Sequence, residues 1–106
     1  MPIAALTLEL RIEHAQSLKD RRQVVRSLRD KLRHGFNISV AELDEAVSWQ
    51  SATIGVSAIS RSRDYLAGLM RQVESAATRI ANDSGAVVTD SWFSFMEEEP
   101  EDDKPG

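Results

Sequence analysis

SLKDRRQVVRSLRDKLRHGFNISVAE, residues 17–42, decides how the rest of this chain can be arranged. At about 100° per residue from Leu18, the side chains of Leu18, Val24, Val25, Leu28 and Leu32 share an arc of about 120°, wide enough to lie on a sheet. Ser17 is placed to cap the helix, because its hydroxyl accepts from a backbone N–H of the first turn. Asp20 in the first turn and Lys31, Arg33 and His34 in the last each suit the helix dipole. Gly35 then reads as the C′ residue that ends it. Beyond it, Phe36, Ile38 and Val40 alternate with Asn37 and Ser39 up to Leu43, the pattern of a half-buried strand.

The cations of this helix are grouped. Lys19, Arg22, Arg26, Arg29 and Arg33 share an arc of about 80° beside the apolar stripe. Residues 17–34 hold seven Lys or Arg against two Asp, a charge of +5. One reading is a ridge that tracks phosphates, reaching about 21 Å at 1.5 Å per residue; Arg21, Arg61 and Arg63 extend it if their surroundings bring them close. The other is a solvated flank whose long stems cover apolar surface.

Outward from this segment the same two periods recur. Ile3 to Ile12 alternates, with Ala4, Leu6, Leu8, Leu10 and Ile12 on one face, and Glu13 to Gln16 forms the loop before the helix. Asp44 to Ser48 is a polar connection. Trp49 to Ile59 predicts a third strand with Ala52, Ile54, Val56 and Ala58 inward and Trp49, Thr53, Gly55 and Ser57 outward. Gly55 leaves room for close approach of another group. Ser60 or Ser62 caps a second helix, with Leu66, Leu69, Val73, Ala76, Ala77 and Ile80 at helical spacing, and residues 82–85, NDSG, stop it. Ala86 to Met96 is a fourth strand, less cleanly alternating. Two strand-helix-strand units predict an α+β, ferredoxin-like βαββαβ fold. Its four-stranded antiparallel sheet has both helices on one face, the first and third strands at the centre and the other two at the edges.

A chain of 106 residues with 42% hydrophobic content makes one domain with one core. Residues 1–96 are expected to form it. Residues 97–106, EEEPEDDKPG, hold six acids and one Lys, a charge of −5, and are expected to be disordered. The whole chain carries −4, whereas without this tail 12 bases face 11 acids, leaving +1. The acidic total therefore argues less strongly against a nucleic-acid partner than it first does. No apolar run is long enough to span a membrane. The first ten residues lack the basic start of a signal peptide, so a cytoplasmic protein is expected. The absence of cysteine removes disulfides, thiolate catalysis and Cys-based zinc sites.

Catalytic chemistry has little to stand on. Glu9, His14, Glu42 and Asp44 are the titratable candidates, but no nucleophile–base spacing, metal-ligand pattern or glycine-rich phosphate loop appears. Glu42 and Asp44 read as an acidic pair flanking a turn. The outward sheet face, with Thr53, Gly55 and Ser57 and with Trp49 at its margin, is flat enough to pair with a second copy. It lacks the stacked aromatics of a single-strand RNA platform.

In four blocks, Ser17-Leu18-Lys19-Asp20-Arg21-Arg22, Phe36-Asn37-Ile38-Ser39-Val40-Ala41-Glu42, Trp49-Gln50 and Gly55-Val56, the chain resembles the YlxP-like family of small bacterial proteins, also called DUF503. The resemblance covers about residues 1–96. Arg22, where Lys is also common, and Ile38, where Val is common, are mild departures, and the acidic end lies outside the pattern. The resemblance implies a ferredoxin-like fold, no established catalysis and no cofactor. Members are often encoded beside translation and ribosome-maturation factors, including the cold-shock ribosome-binding factor, which implies a setting by association.

These readings lead to the expectation of a non-enzymatic binding protein without cofactor or metal. Its expected partner is structured RNA or a ribosomal particle, contacted through Lys19, Arg22, Arg26, Arg29 and Arg33. The alternative is a homodimeric or small-ligand-sensing module that uses Trp49, Thr53, Gly55 and Ser57.

Overall fold

The computed structural model describes residues 1–45 and 48–96. Along them run β1 (Ile3–Arg11), α1 (Leu18–Gly35), β2 (Ser39–Glu42), β3 (Ser51–Ile59), α2 (Arg63–Asp83) and β4 (Val87–Phe95). The strands form one antiparallel sheet in the order β2-β3-β1-β4. This is the ferredoxin-like βαββαβ arrangement, with the two most apolar strands central, as the alternation predicts. The acidic residues 97–106, expected to be disordered, lie outside the described residues.

Strict alternation makes the core continuous. Ala4, Leu6, Leu8 and Leu10 of β1 and Ala52, Ile54 and Val56 of β3 turn to one face and are buried there. Val24, Val25, Leu28 and Leu32 of α1 and Leu66, Leu69, Met70, Val73, Ala76 and Ala77 of α2 complete the same cluster. Phe36, Ile38 and Val40 pack against its margin.

Several boundaries differ from the periodic reading. Leu18 is 46% exposed, because it sits at the open end of the first turn, ahead of the point where α1 settles on the sheet. Gly35 does not act as a left-handed cap. It is the last residue of α1, and Phe36 leaves in an extended conformation (φ −141°) while its N–H closes on Leu32 O. β2 is limited to Ser39–Glu42 because only those residues pair with β3. Trp49 and Gln50 form a turn before β3. β4 alternates poorly because its register on β1 shifts between Glu9 and Leu10, a bulge that adds one residue to the strand.

The ends of α2 behave as expected. Ser62 Oγ accepts from Tyr65 N–H, settling the cap on Ser62. Ser84 N–H donates to the Ile80 and Ala81 carbonyls, and Gly85 then turns left-handed at φ 80°. A Cβ on Gly85 would lie 3.3 Å from the His14 ring.

Candidate functional site

The first turn of α1 is built from its own polar side chains. Ser17 Oγ accepts from Asp20 N–H at 3.1 Å, and Asp20 Oδ2 accepts from Gln16 N–H at 2.9 Å. The helix start is thereby closed on the preceding loop, and the residues that follow are set at fixed angles to the sheet.

Arg21 is the residue that spacing should have singled out. At about 100° per residue it falls at about 300° from Leu18, between Leu28 and Leu32, in the middle of the apolar arc. It does not extend a surface patch. Its side chain is only 3% exposed, and all three of its nitrogens are engaged. Nε donates to Ser51 O at 2.9 Å, Nη2 donates to both carboxylate oxygens of Asp44 at 3.1 and 3.2 Å, and Nη1 pairs with Glu42. A charge can be buried when it is paired and hydrogen-bonded in this way. Glu42 and Asp44 are thus the receptor for Arg21, and not merely acids beside a turn. Close by, Gln50 O accepts from Ile12 N–H at 2.9 Å, while Gln50 Nε2 donates to Glu13 O at 3.1 Å.

The ridge cations are disposed differently. Lys19, Arg22, Arg26 and Arg33 are exposed, and Arg29 is half-buried. Arg29 Nε meets its neighbour Asp30 at 3.2 Å in an exposed contact, the weak kind in water. Among the described residues, Lys19, Arg22, Arg26 and Arg33 take part in no ion pair. Lys19, Arg22, Gln23, Arg26, Ser27 and Asp30 stand around a shallow hollow of about 360 Å³ on the outer side of α1. Arg63, considered as an extension of the ridge, instead lies over the Phe95 ring at 4.2 Å, beside β4.

The open face of the sheet is partly occupied by the chain itself. Thr53 Oγ1 donates to Glu9 at 2.9 Å. The space over Gly55 is filled by Leu43, whose Cδ1 lies 2.8 Å from where a Cβ would stand. Ser57 is half-buried between Ala5 and Ser39. Trp49 stands apart from these three, in the turn before β3. Ala5, Thr7, Ser39, Ala41, Leu43 and Met96 border a hollow of about 340 Å³ on this face. The four titratable candidates do not gather: Glu9 is on the open face, Glu42 and Asp44 hold Arg21, and His14 packs by Gly85. Among the described residues no group of three or more His, Cys, Asp or Glu could hold a metal ion, and no helix is long and apolar enough to cross a membrane.

Comparison with known proteins places the chain. The family model described as "Protein of unknown function (DUF503)" matches residues 3–93, and the chain belongs to that family. It is 26% identical over 82 residues to the uncharacterized protein YlxP of Bacillus subtilis (strain 168), covering 77% of this chain and 89% of that one. Among solved structures, it resembles a C-terminal segment of the alpha subunit of aIF2 from Pyrococcus abyssi. There the TM-score is 0.50 at 10% identity, over 93% of this chain and 52% of that one. It also resembles the B. subtilis protein YXEP, a dinuclear metal binding peptidase of the M20 family. That match has a TM-score of 0.58 at 12% identity, over 88% of this chain and 25% of that one. The chain thus spans about half and a quarter of these two structures, and the likeness is one of fold.

Proposed function

We propose that this DUF503 protein is a cytoplasmic, non-enzymatic binding protein that docks structured RNA, as in a ribosomal particle, on the basic ridge of α1. One observation carries the reading. The protein commits Glu42 and Asp44 to the buried Arg21 and leaves Lys19, Arg22, Arg26 and Arg33 exposed without an ion pair among the described residues. Those four side chains are therefore open to an anionic partner. The ridge runs about 21 Å along the helix, enough for about three phosphates of one strand.

Three phosphate contacts set the salt dependence. At about 0.7–0.9 per contact, log affinity falls with a slope of about −2 to −3 against log salt. Binding to ribosomal RNA should weaken about 20- to 40-fold between 50 and 200 mM salt. Changing Arg22, Arg26 and Arg33 to Glu together should abolish it while the melting temperature stays near that of the wild type. Salt-independent binding, or full binding by the triple variant, would refute the ridge.

A second reading, a module that takes a small ligand or a second copy on its open sheet face, draws on the hollow beside Leu43 and Met96. Under it, filling the hollow by Ser57→Trp would remove ligand binding or self-association that the triple charge reversal leaves intact.

A further inference from the structure

β4 ends the sheet with nine residues, and among the described residues no strand lies beyond it. The opposite edge, β2, is only four residues long. Long edges invite strand addition and are usually guarded by Lys, Pro, bulges or very short strands. β4 contains no Lys, Arg or Pro. Its guards are a bulge around Thr89 and one charge, Asp90; from Asp90 to Phe95 the register on β1 is regular.

The free backbone groups of this edge can be identified. Met96 N–H donates inward to Ile3 O at 2.7 Å. Backbone groups alternate sides along an antiparallel strand. Trp92 and Ser94 therefore direct theirs to β1, and Ser91, Phe93 and Phe95 direct theirs outward. The outward N–H of Ser91 is met by its neighbour Asp90, at 2.9 Å.

We propose that β4 pairs antiparallel with β4 of a second copy, about a two-fold axis through Phe93, so that two sheets join into one of eight strands. In this register Phe93 faces its own symmetry mate, Ser91 faces Phe95, and Trp92 faces Ser94. All three outward residues of each copy are engaged, giving six intermolecular hydrogen bonds, two of them made by Ser91 N–H groups that must leave Asp90. Each remaining large side chain meets a serine, which lets the side chains interdigitate. Moving the axis one residue back would bring the bulged Thr89 into the ladder. The anchors are already arranged: Trp92 is 50% and Phe93 40% exposed, and Phe93 meets Phe95 edge-to-face at 5.0 Å. The five paired residues 91–95, Trp92 and Phe93 among them, bury on the order of 500 Å² per copy, below the ~800 Å² of a standard interface, so the dimer is a weak one. The proposal does not depend on the ridge.

Equilibrium sedimentation of the full chain should show a monomer–dimer equilibrium below about 200 µM. Phe93→Pro removes an outward N–H without removing one given to β1, and should raise the dissociation constant at least tenfold. The chain has no cysteine, so single-cysteine variants test the register directly. Phe93→Cys should form a disulfide-linked dimer on oxidation, because facing residues of this kind have Cα atoms about 5.5 Å apart. Ser57→Cys on the open face should not. If Phe93→Pro fails to fold, this pair of variants still decides. A wild-type chain that stays monomeric at about 200 µM would overturn the proposal, as would a dimer cross-linked through Ser57→Cys and not through Phe93→Cys.

Discussion

Replacing Arg21 by Ala tests the reading of α1 most directly, because it separates the buried cation of this helix from its exposed ones. Removing one member of a fully buried ion pair costs about 3–5 kcal/mol. Here Arg21 is 3% exposed, but Glu42 and Asp44 are 33% and 32% exposed. Water can therefore reach the carboxylates once the guanidinium is gone, and only the Ser51 carbonyl and the vacated volume remain poorly served. That discount leaves about 2–3 kcal/mol. For a domain of this size the melting temperature should fall by about 8–20 °C. Arg21→Met, which refills the volume without the charge, should cost about 1 kcal/mol less. Urea denaturation followed by circular dichroism measures both. A cycle with Asp44→Ala should give a coupling of at least 1 kcal/mol. The reasoning fails if Arg21→Ala stays within about 0.5 kcal/mol of wild type, or if the Arg21 and Asp44 losses simply add.

Four further outcomes follow from the same geometry. Arg22→Ala on the ridge should change stability by less than about 0.5 kcal/mol, measured in the same denaturation series. Ser17→Ala removes the acceptor of Asp20 N–H and should cost about 1 kcal/mol. Gly85→Ala should destabilise by about 1–2 kcal/mol, since φ is +80° and the new methyl meets His14. Gly35→Ala, with nothing within 4 Å of the new carbon, should be neutral or stabilising by up to about 1 kcal/mol; equal losses at both glycines in thermal melts would contradict these conformations.

The residues by themselves determined the fold class, the element order and the inward faces of β1 and β3, because periods of 2 and 3.6 are written locally. They also marked the grouped cations of α1 and the acceptor at Ser17. Spacing even carried the clue to Arg21, which falls in the apolar arc, but a charged residue there is ambiguous until its partners are seen. Those partners lie 21 and 23 positions away in sequence, and only the return of β2 along the sheet, with the start of β3 beside it, brings Glu42, Asp44 and the Ser51 carbonyl together. The same corner gathers SLKDRR, the end of FNISVAE and Trp49-Gln50, three of the blocks that carry the family resemblance. Leu43 over Gly55 accounts for part of the fourth. Tertiary structure alone decided which cations are occupied and which are left over, because long-range pairing is a property of the folded path and not of any local pattern.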